Sequence, residues 1–295
     1  MNSGPVVMLT ALDLEYSAIS RHLTGLGLRR HEGTRFEIGL LPDGQEIVLG
    51  LTEEGGLGAA AVAERARAAF RPTALLMVGV AGGLKDDIQL GDVVVATKVY
   101  AYQGGKDEGD GRLNRPQAWE SDYELRELAH SIKRSGSWDR YLIPPRDKLP
   151  DVHFKPIAAG DVLLNSRQTA LFQQLHLSYN DAVAIEMESA GVAKAGQLSR
   201  SLPVLTVRGI SDKADGAKHA ADAAGLQTIA AENAAAFALA IAAELYVQGP
   251  AEDHAGEPRQ HVHVQNNTAH GGNVFAVQDG DITFHTRNPP KPAPG

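Results

Sequence analysis

Residues 184–215, AIEMESAGVAKAGQLSRSLPVLTVRGISDKAD, have the pattern of a strand, a helix and a second strand. The first strand ends in the acids Glu186 and Glu188, and the second ends at Ser211 and Asp212. In a parallel sheet the carboxyl ends of both strands lie at one edge, where open α/β sheets bind ligands. Carboxylates after two neighbouring strands suit acid–base chemistry, whereas the plainer interpretation is two surface charges and a helix cap. The surrounding sequence has to decide between the two.

The rest of the chain alternates strands with helices. Residues 6–12 are apolar and predict a buried strand, after which Asp13 opens a helix that runs to about Leu23. Residues 102–114 are polar and rich in glycine, which predicts a long loop without regular structure. The last helix is predicted at 221–247. This order of elements predicts an α/β fold with a mixed, mostly parallel sheet.

Composition narrows the classes of function. The chain has 295 residues, of which 43% are hydrophobic, and a net charge of -8, which disfavours binding to nucleic acid or to an anionic membrane. It has no cysteine, which excludes disulfides, thiolate metal sites and a cysteine nucleophile. The N-terminus lacks the basic and apolar segments of a signal peptide. We therefore expect a cytoplasmic protein without a membrane anchor.

The C-terminal part differs from the rest in composition. We predict one domain at residues 1–247, a polar linker at 248–268 and a flexible tail at 269–295. Within the tail, residues 273–285 contain two apolar segments separated by Asp279-Gly280, a strong signal for a β-hairpin. An isolated hairpin is marginal in water, so this one either packs on its own domain or stacks with copies of itself or with a partner.

Several blocks together resemble the purine nucleoside phosphorylase/uridine phosphorylase superfamily, on its nucleosidase side. They are TALDLEYSAI at 10–19, VGVAGGLKDDIQLGDVVVA at 78–96, AIEMESAGVA at 184–193 and VRGISDKADG at 207–216. The resemblance implies a three-layer α/β/α fold. Among its branches, the methylthioadenosine/adenosylhomocysteine nucleosidases look most similar. The GKDEGDG loop and the segment after Asp212 look more like bacterial antiviral nucleosidases, which act on adenine nucleotides, ATP in particular.

The resemblance also implies roles for particular residues. It places Glu15 on the attacking water, Glu188 on the ribose hydroxyls, and Asp212, supported by Ser211, as the acid that protonates purine N7. General acid catalysis of this kind contributes about 10²–10⁴-fold to the rate. The remaining implied substrate contacts are Met187 against the sugar, Glu186 in a supporting position, the backbone of Val80, Ala81 and Gly82, and Leu163 or Leu164 at the base-stacking position, where an aromatic residue is usual in the family.

The nucleophile and the 5′ group of the substrate are separate questions. Asp13 and Glu15 follow the first strand and would repel a phosphate, so we expect hydrolysis rather than phosphorolysis. No cofactor or metal is expected, and His261-x-His263 lacks the carboxylate partners of a metal site. A triphosphate would need several cations. The candidates are Lys106, Arg112, Arg115, Arg167, Lys213 and Lys218.

These cations favour an adenine nucleotide such as ATP as substrate. Two alternatives stay open, namely a housekeeping methylthioadenosine/adenosylhomocysteine nucleosidase and a non-catalytic nucleotide-binding sensor. The hairpin resembles the short amyloid-type signalling motifs of bacterial immune proteins through Val277-Gln278-Asp279-Gly280. It implies recruitment by a sensor protein with a matching motif. The family resemblance further implies at least a homodimer.

Overall fold

The computed structural model describes residues 4–109, 111–146, 148–199, 202–216 and 225–248, together with the backbone of 275–278 and 281–284. The chain divides into two compact units, Met1–Pro250 and Ala251–Gly295. The predicted phosphate ligand Lys218 and the predicted linker after Gln248 lie outside the described residues, as does His261-x-His263.

Strands and helices alternate along the first unit. The strands are β1 (Val6–Thr10), β2 (Thr24–His31), β3 (Thr34–Leu40), β4 (Glu46–Leu51), β5 (Ala74–Gly83), β6 (Val93–Ala101), β7 (Gly105–Glu108), β8 (Gly111–Asn114), β9 (Gln117–Glu120), β10 (Val152–Ala159), β11 (Ala184–Glu186) and β12 (Val204–Asp212). The helices are α1 (Asp13–Ser20), α2 (Gly56–Phe70), α3 (Tyr123–Ser135), α4 (Ala170–Ser178), α5 (Ser189–Leu198) and α6 (Leu226–Gln248), with a 3₁₀-helix at Ser137–Tyr141.

The central sheet is mixed and partly closed on itself. Strands β4, β1, β5 and β12 are parallel, and β6, β10 and β11 form a second parallel set. The two sets join antiparallel between β12 and β6. They meet again where Ala184 and Ile185 of β11 pair with Gly83 and Gly82 of β5. Strands β5, β12, β6, β10 and β11 therefore form a closed ring.

Ring closure changes the reason why the predicted acids meet. The sequence predicts that β11 and β12 are neighbours in one parallel sheet, but β11 pairs with β10 and β5 instead. The end of β5 lies between them, paired on one side with the end of β12 and on the other with β11. The acids therefore converge through the antiparallel contact at Gly82 and Gly83, and not through a shared parallel edge.

Helices cover both faces of the central part of the sheet, so an inner strand such as β1 is buried along its whole length. In β1, Val6 and Met8 face a core built with α1, α3 and α6, while Val7 and Leu9 face a core built with α2 and α5. This alternation is the two-residue period of a strand. By length and composition α6 is long and apolar enough to cross a membrane. However, 72% of its most apolar stretch is buried inside the protein, as in the core helix of a globular fold.

The helices α2 and α5 pack closely at their N-terminal ends. A side-chain carbon at Gly191 would collide with the carbonyl oxygen of Gly56, so this contact requires glycine. The residues just before the two helices are Gly55 and Glu188. Close packing of α2 on α5 thus brings two loops of the functional site together.

Several elements were not predicted from the sequence. The helix expected to reach about Leu23 ends at Ser20, and the exposed edge strand β2 follows it. The expected loop at 102–114 contains the antiparallel pair β7 and β8, and β9 lies just beyond it. These strands are polar and mostly exposed, so they lack the apolar alternation from which strands are recognised.

In the second unit, the backbone of Phe275–Gln278 and Asp281–Phe284 forms an antiparallel pair. Phe275 pairs with Phe284, and Gln278 pairs with Asp281. The predicted strand pairing is therefore present. The two turn residues, Asp279 and Gly280, lie outside the described part.

Candidate active site

The carboxylate of Glu15 joins the ends of β1 and β5. Its Oε2 accepts hydrogen bonds from the backbone N–H groups of Ala11 and Leu12, at 2.9 and 3.0 Å, and Oε1 accepts from Val80 N–H at 2.7 Å. Glu15 lies in the first turn of α1, where a negative charge is stabilised by the helix dipole. It is only 2% exposed, so it is held as a fixed acceptor.

A buried arginine in β12 links three carboxylates. Arg208 is 1% exposed, and its Nη2 donates to Glu186 Oε2 and, at 3.0 Å, to Glu188 Oε2. Its Nη1 lies 3.9 Å from Glu15 Oε1. Burial alone would lower the pKa of Arg208, but the neighbouring carboxylates outweigh it and raise that pKa. The guanidinium therefore stays charged inside the protein, as paired buried charges must.

The space for this cluster depends on Gly79 in β5. A side-chain carbon at Gly79 would collide with the carboxylate of Glu15 and with Nη1 of Arg208. A glycine in the middle of an apolar strand thus marks the place where two charged side chains pass close to the backbone.

The turn after β11 holds the second acid of the site. Glu186 accepts hydrogen bonds from Ser189 Oγ at 2.9 Å and from the N–H groups of Glu188 and Ser189. These bonds fix the turn, so that Glu188 Oε1 accepts from Gly55 N–H at 3.1 Å. Burial raises the pKa of Glu188, while the positive charge of Arg208 acts in the opposite direction.

Asp212 ends β12, next to the end of β5. Its Oδ2 accepts from Ser211 Oγ at 3.1 Å, and its Oδ1 accepts from Ala214 N–H at 2.8 Å. Ser211 and Asp212 are both buried. A side-chain carbon at Gly82 would lie 3.0 Å from Asp212 Oδ1, so the backbone of β5 runs directly beside this carboxyl group.

These groups surround one cavity of about 330 Å³. The sequence-predicted catalytic and substrate-binding residues all line it, namely Glu15, Val80, Ala81, Gly82, Leu163, Leu164, Glu186, Met187, Glu188, Ser211 and Asp212. Further residues line the cavity that were not predicted from the sequence, namely Ala11, Leu12, Leu14, Glu54, Val162, Ile185 and Gln227. The cavity combines an apolar surface with a few converging polar groups, which is typical of a small-molecule site.

The predicted phosphate ligands are not assembled at this cavity. Arg167 pairs with Asp86 at 2.6 Å and donates to the carbonyl of Lys213, and Lys213 donates to the carbonyl oxygens of Lys85 and Ile88. Lys106 pairs with Glu108. Arg115 does not line the cavity either. The side chain of Arg112 and the whole of Lys218 lie outside what the structure describes.

Acidic side chains that converge on a cavity can also serve as metal ligands. Among the residues that the structure describes, no group of three His, Asp or Glu side chains is placed to hold a metal ion. Four acids of the cavity, Glu15, Glu186, Glu188 and Asp212, are instead paired with backbone N–H groups, with Ser189 or Ser211, or with Arg208.

Known proteins share this fold. A 5′-methylthioadenosine/S-adenosylhomocysteine nucleosidase from Neisseria meningitidis, solved with methylthio-immucillin-A, superposes with a TM-score of 0.70 at 22% identity, covering 82% of this chain and 99% of that one. The futalosine hydrolase of Helicobacter pylori gives a TM-score of 0.70 at 23% identity, covering 82% and 98%.

Relatives are also recognised by sequence. A 5′-methylthioadenosine/S-adenosylhomocysteine nucleosidase from Maridesulfovibrio salexigens is 30% identical over 175 residues, which are 58% of this chain and 70% of the relative. The ATP nucleosidase Cap17 of Escherichia coli is 27% identical over 189 residues, and the match spans only 37% of its length. The sequence pattern of the phosphorylase superfamily matches residues 5–243. The chain belongs to the phosphorylase superfamily.

Proposed function

We propose that this protein hydrolyses the N-glycosidic bond of a purine nucleoside, with adenine as the base. The observation that carries the proposal is that Glu15, Glu188 and Asp212, from three separate parts of the chain, line a single cavity. A water base, a sugar anchor and a leaving-group acid are the three functions that this bond cleavage requires.

The reaction breaks the C1′–N9 bond and forms a C1′–O bond to water. Glu15 aligns the water and takes its proton, since its carboxylate is fixed by three backbone N–H groups. Glu188 binds the ribose hydroxyls and stabilises the positive charge that develops on the sugar. Asp212 gives a proton to N7, so that the base leaves neutral. Ser211 and the Ala214 N–H orient that carboxyl group.

Water fits the site better than phosphate as the nucleophile. The cavity is lined by five acids (Glu15, Glu54, Glu186, Glu188 and Asp212). A phosphate entering it would meet these carboxylates, whereas phosphate sites are built from arginines or free helix N-termini. Turnover is therefore expected to be independent of phosphate and to yield the free sugar.

The 5′ group of the substrate separates two candidate substrates. The described lining of the cavity contains no cation that could bind a triphosphate. Leu12, Leu14 and Met187 give the cavity an apolar surface. Both features favour a nucleoside with an uncharged 5′ group. ATP is the second candidate, favoured by the similarity to the ATP nucleosidase Cap17. With ATP as substrate, the protein acts as an effector in bacterial antiviral defence that depletes adenine nucleotides.

One assay tests these proposals together. The purified protein is incubated with adenosine, methylthioadenosine, adenosylhomocysteine and ATP, each with and without phosphate, and released adenine and sugar products are separated by chromatography. Glu188→Ala and Asp212→Asn are the inactive controls, and their circular dichroism shows whether they stay folded. Absence of adenine from every substrate refutes the proposed function, and a sugar 1-phosphate product refutes hydrolysis.

The hairpin is proposed to recruit this enzyme to a sensor protein through residues 273–285. The antiparallel pairing of 275–278 with 281–284 supports this, because the outer edge of a two-stranded pair can hydrogen-bond a matching segment. A peptide of residues 265–290 is expected to form fibrils that bind thioflavin T. A peptide that stays monomeric at high concentration contradicts the proposal.

For the nucleosidase unit we propose a homodimer, which analytical ultracentrifugation tests.

A further inference from the structure

One acid of the cavity is not explained by the proposed chemistry. Glu54, in the loop between β4 and α2, lines the cavity but is exposed to solvent. Within the described residues, neither an ion pair nor a hydrogen bond engages its carboxylate, in contrast to Glu15, Glu186 and Glu188. An exposed carboxylate at the rim of a cavity keeps its charge available to whatever enters.

The position of Glu54 relative to the substrate follows from its neighbour. The next residue, Gly55, donates its N–H to Glu188 Oε1 at 3.1 Å, so Glu54 lies beside the proposed site of the ribose hydroxyls. Asp212 marks the base end of the cavity. Its carboxyl group lies beside Gly82, and the side chain of Ile185 lies beside the same glycine. In a ribonucleoside the base is bonded to C1′, whereas the 5′ substituent is attached through C5′ to C4′, next to the carbon that carries the 3′ hydroxyl. A substrate with its base at Asp212 and its hydroxyls on Glu188 directs the 5′ substituent toward the rim that carries Glu54.

We infer that the Glu54 carboxylate selects the charge of the substrate's 5′ substituent, disfavouring a phosphate and favouring a neutral or cationic group. The inference rests on the proposed function and names the substrate class of the same site. The other acids of the lining act in the same direction but are committed to Arg208 or to backbone N–H groups. Glu54 is the acid of the described lining that can be changed without disturbing that cluster.

The size of the effect follows from Coulomb's law. In water, repulsion between two unit negative charges about 6–8 Å apart weakens a binding constant about threefold. Repulsion between one such charge and a phosphate dianion weakens it about sevenfold. The effect decreases as salt is added, because the Debye length is about 10 Å at 0.1 M and about 3 Å at 1 M.

The test compares AMP with adenosine. The ratio of kcat/KM for AMP to kcat/KM for adenosine is measured in the wild type, in Glu54→Gln and in Glu54→Lys, at low salt and at high salt. The expected ratio rises about sevenfold in Glu54→Gln and further in Glu54→Lys, and the rise becomes smaller at high salt. Glu53→Gln is the matched control, because Glu53 is also exposed and adjacent but does not line the cavity.

Failure of this inference is distinguishable from failure of the proposed function. A ratio that is unchanged in both Glu54 variants, or that Glu53→Gln raises equally, overturns the inference while the hydrolysis stands. If the wild type cleaves neither compound, calorimetric affinities for AMP and adenosine decide the role of Glu54. The proposed function itself fails only if methylthioadenosine, adenosylhomocysteine and ATP release no adenine either. The inference is also overturned if the ratio of the affinity for AMP to the affinity for adenosine is the same in Glu54→Gln as in the wild type, or if neither compound binds.

Discussion

Replacing Arg208 by methionine tests how the buried charges of the site are balanced. Methionine keeps much of the length and apolar volume of the side chain but removes the guanidinium that bridges Glu186 and Glu188, at 3.0 Å from the latter. Removing one partner of a buried ion pair costs about 3–5 kcal/mol. A typical domain is stable by about 5–15 kcal/mol, so the variant is expected to fold with a large loss of stability.

The loss of folding stability caused by Arg208→Met is expected to depend on pH in a defined direction. Burial raises the pKa of Glu188 above its ordinary value of 4.5 even with Arg208 present, and loss of the arginine raises it further. A carboxyl group whose pKa is raised by folding binds protons on folding, so its stabilising contribution is present at low pH and is lost as the pH rises through the folded-state pKa. The destabilisation by Arg208→Met is therefore larger at pH 7.5 than at pH 5.

Urea denaturation at both pH values, followed by circular dichroism, measures these differences. Arg167→Met is the matched control, since Arg167 pairs with Asp86, whose side chain is 91% exposed, and such surface pairs contribute about 0–1 kcal/mol. The reasoning is refuted if Arg208→Met costs no more than the control at pH 7.5, or if its cost does not decrease at pH 5. Adding Glu186→Gln to Arg208→Met is expected to recover part of the loss, because it removes one of the unpaired charges.

Three further variants test the site and its frame. Asp212→Asn is expected to lower kcat for adenine release by about 10²–10⁴-fold with an unchanged melting temperature, and wild-type turnover in this variant refutes its role as the acid. Gly79→Ala is expected to displace Glu15 and to lower kcat/KM, whereas full activity contradicts the close approach of that carboxylate to β5. Gly191→Ala is expected to cost about 1–3 kcal/mol of stability by forcing α2 away from α5, and equal stability to the wild type contradicts the packing.

Much of the site was predictable from the sequence because its acids stand at strand ends. Glu15, Glu188 and Asp212 each follow an apolar run that predicts a buried strand, and the family resemblance supplies their roles. The structure brings them to one cavity. A shared parallel edge is the wrong reason for their meeting, because they meet through the pairing of β11 with the end of β5, a long-range contact that no local pattern indicates.

Other features of the site lacked a signal that sequence reasoning uses. Arg208 was missed as a site residue, although a charge in the middle of the apolar strand VLTVRGI indicates a buried partner. Gly79 is recognisable only once the side chains of Glu15 and Arg208 are in place. Glu54 looks like any surface acid in a polar loop. For the predicted phosphate ligands, a cation in a loop has the same sequence signal whether it binds a ligand or other loops, and Arg167 and Lys213 hydrogen-bond neighbouring loops.

The central claim is that water displaces the base of a purine nucleoside held among three acids. Turnover of adenosine in heavy-oxygen water without phosphate tests it most directly, with mass spectrometry of the products. The expected products are free adenine and a ribose that carries one heavy-oxygen atom at C1′, formed at least about a hundredfold more slowly by Asp212→Asn. Absence of adenine release from adenosine, methylthioadenosine, adenosylhomocysteine and ATP alike, or a sugar without heavy oxygen at C1′ in a reaction stopped early, would contradict it.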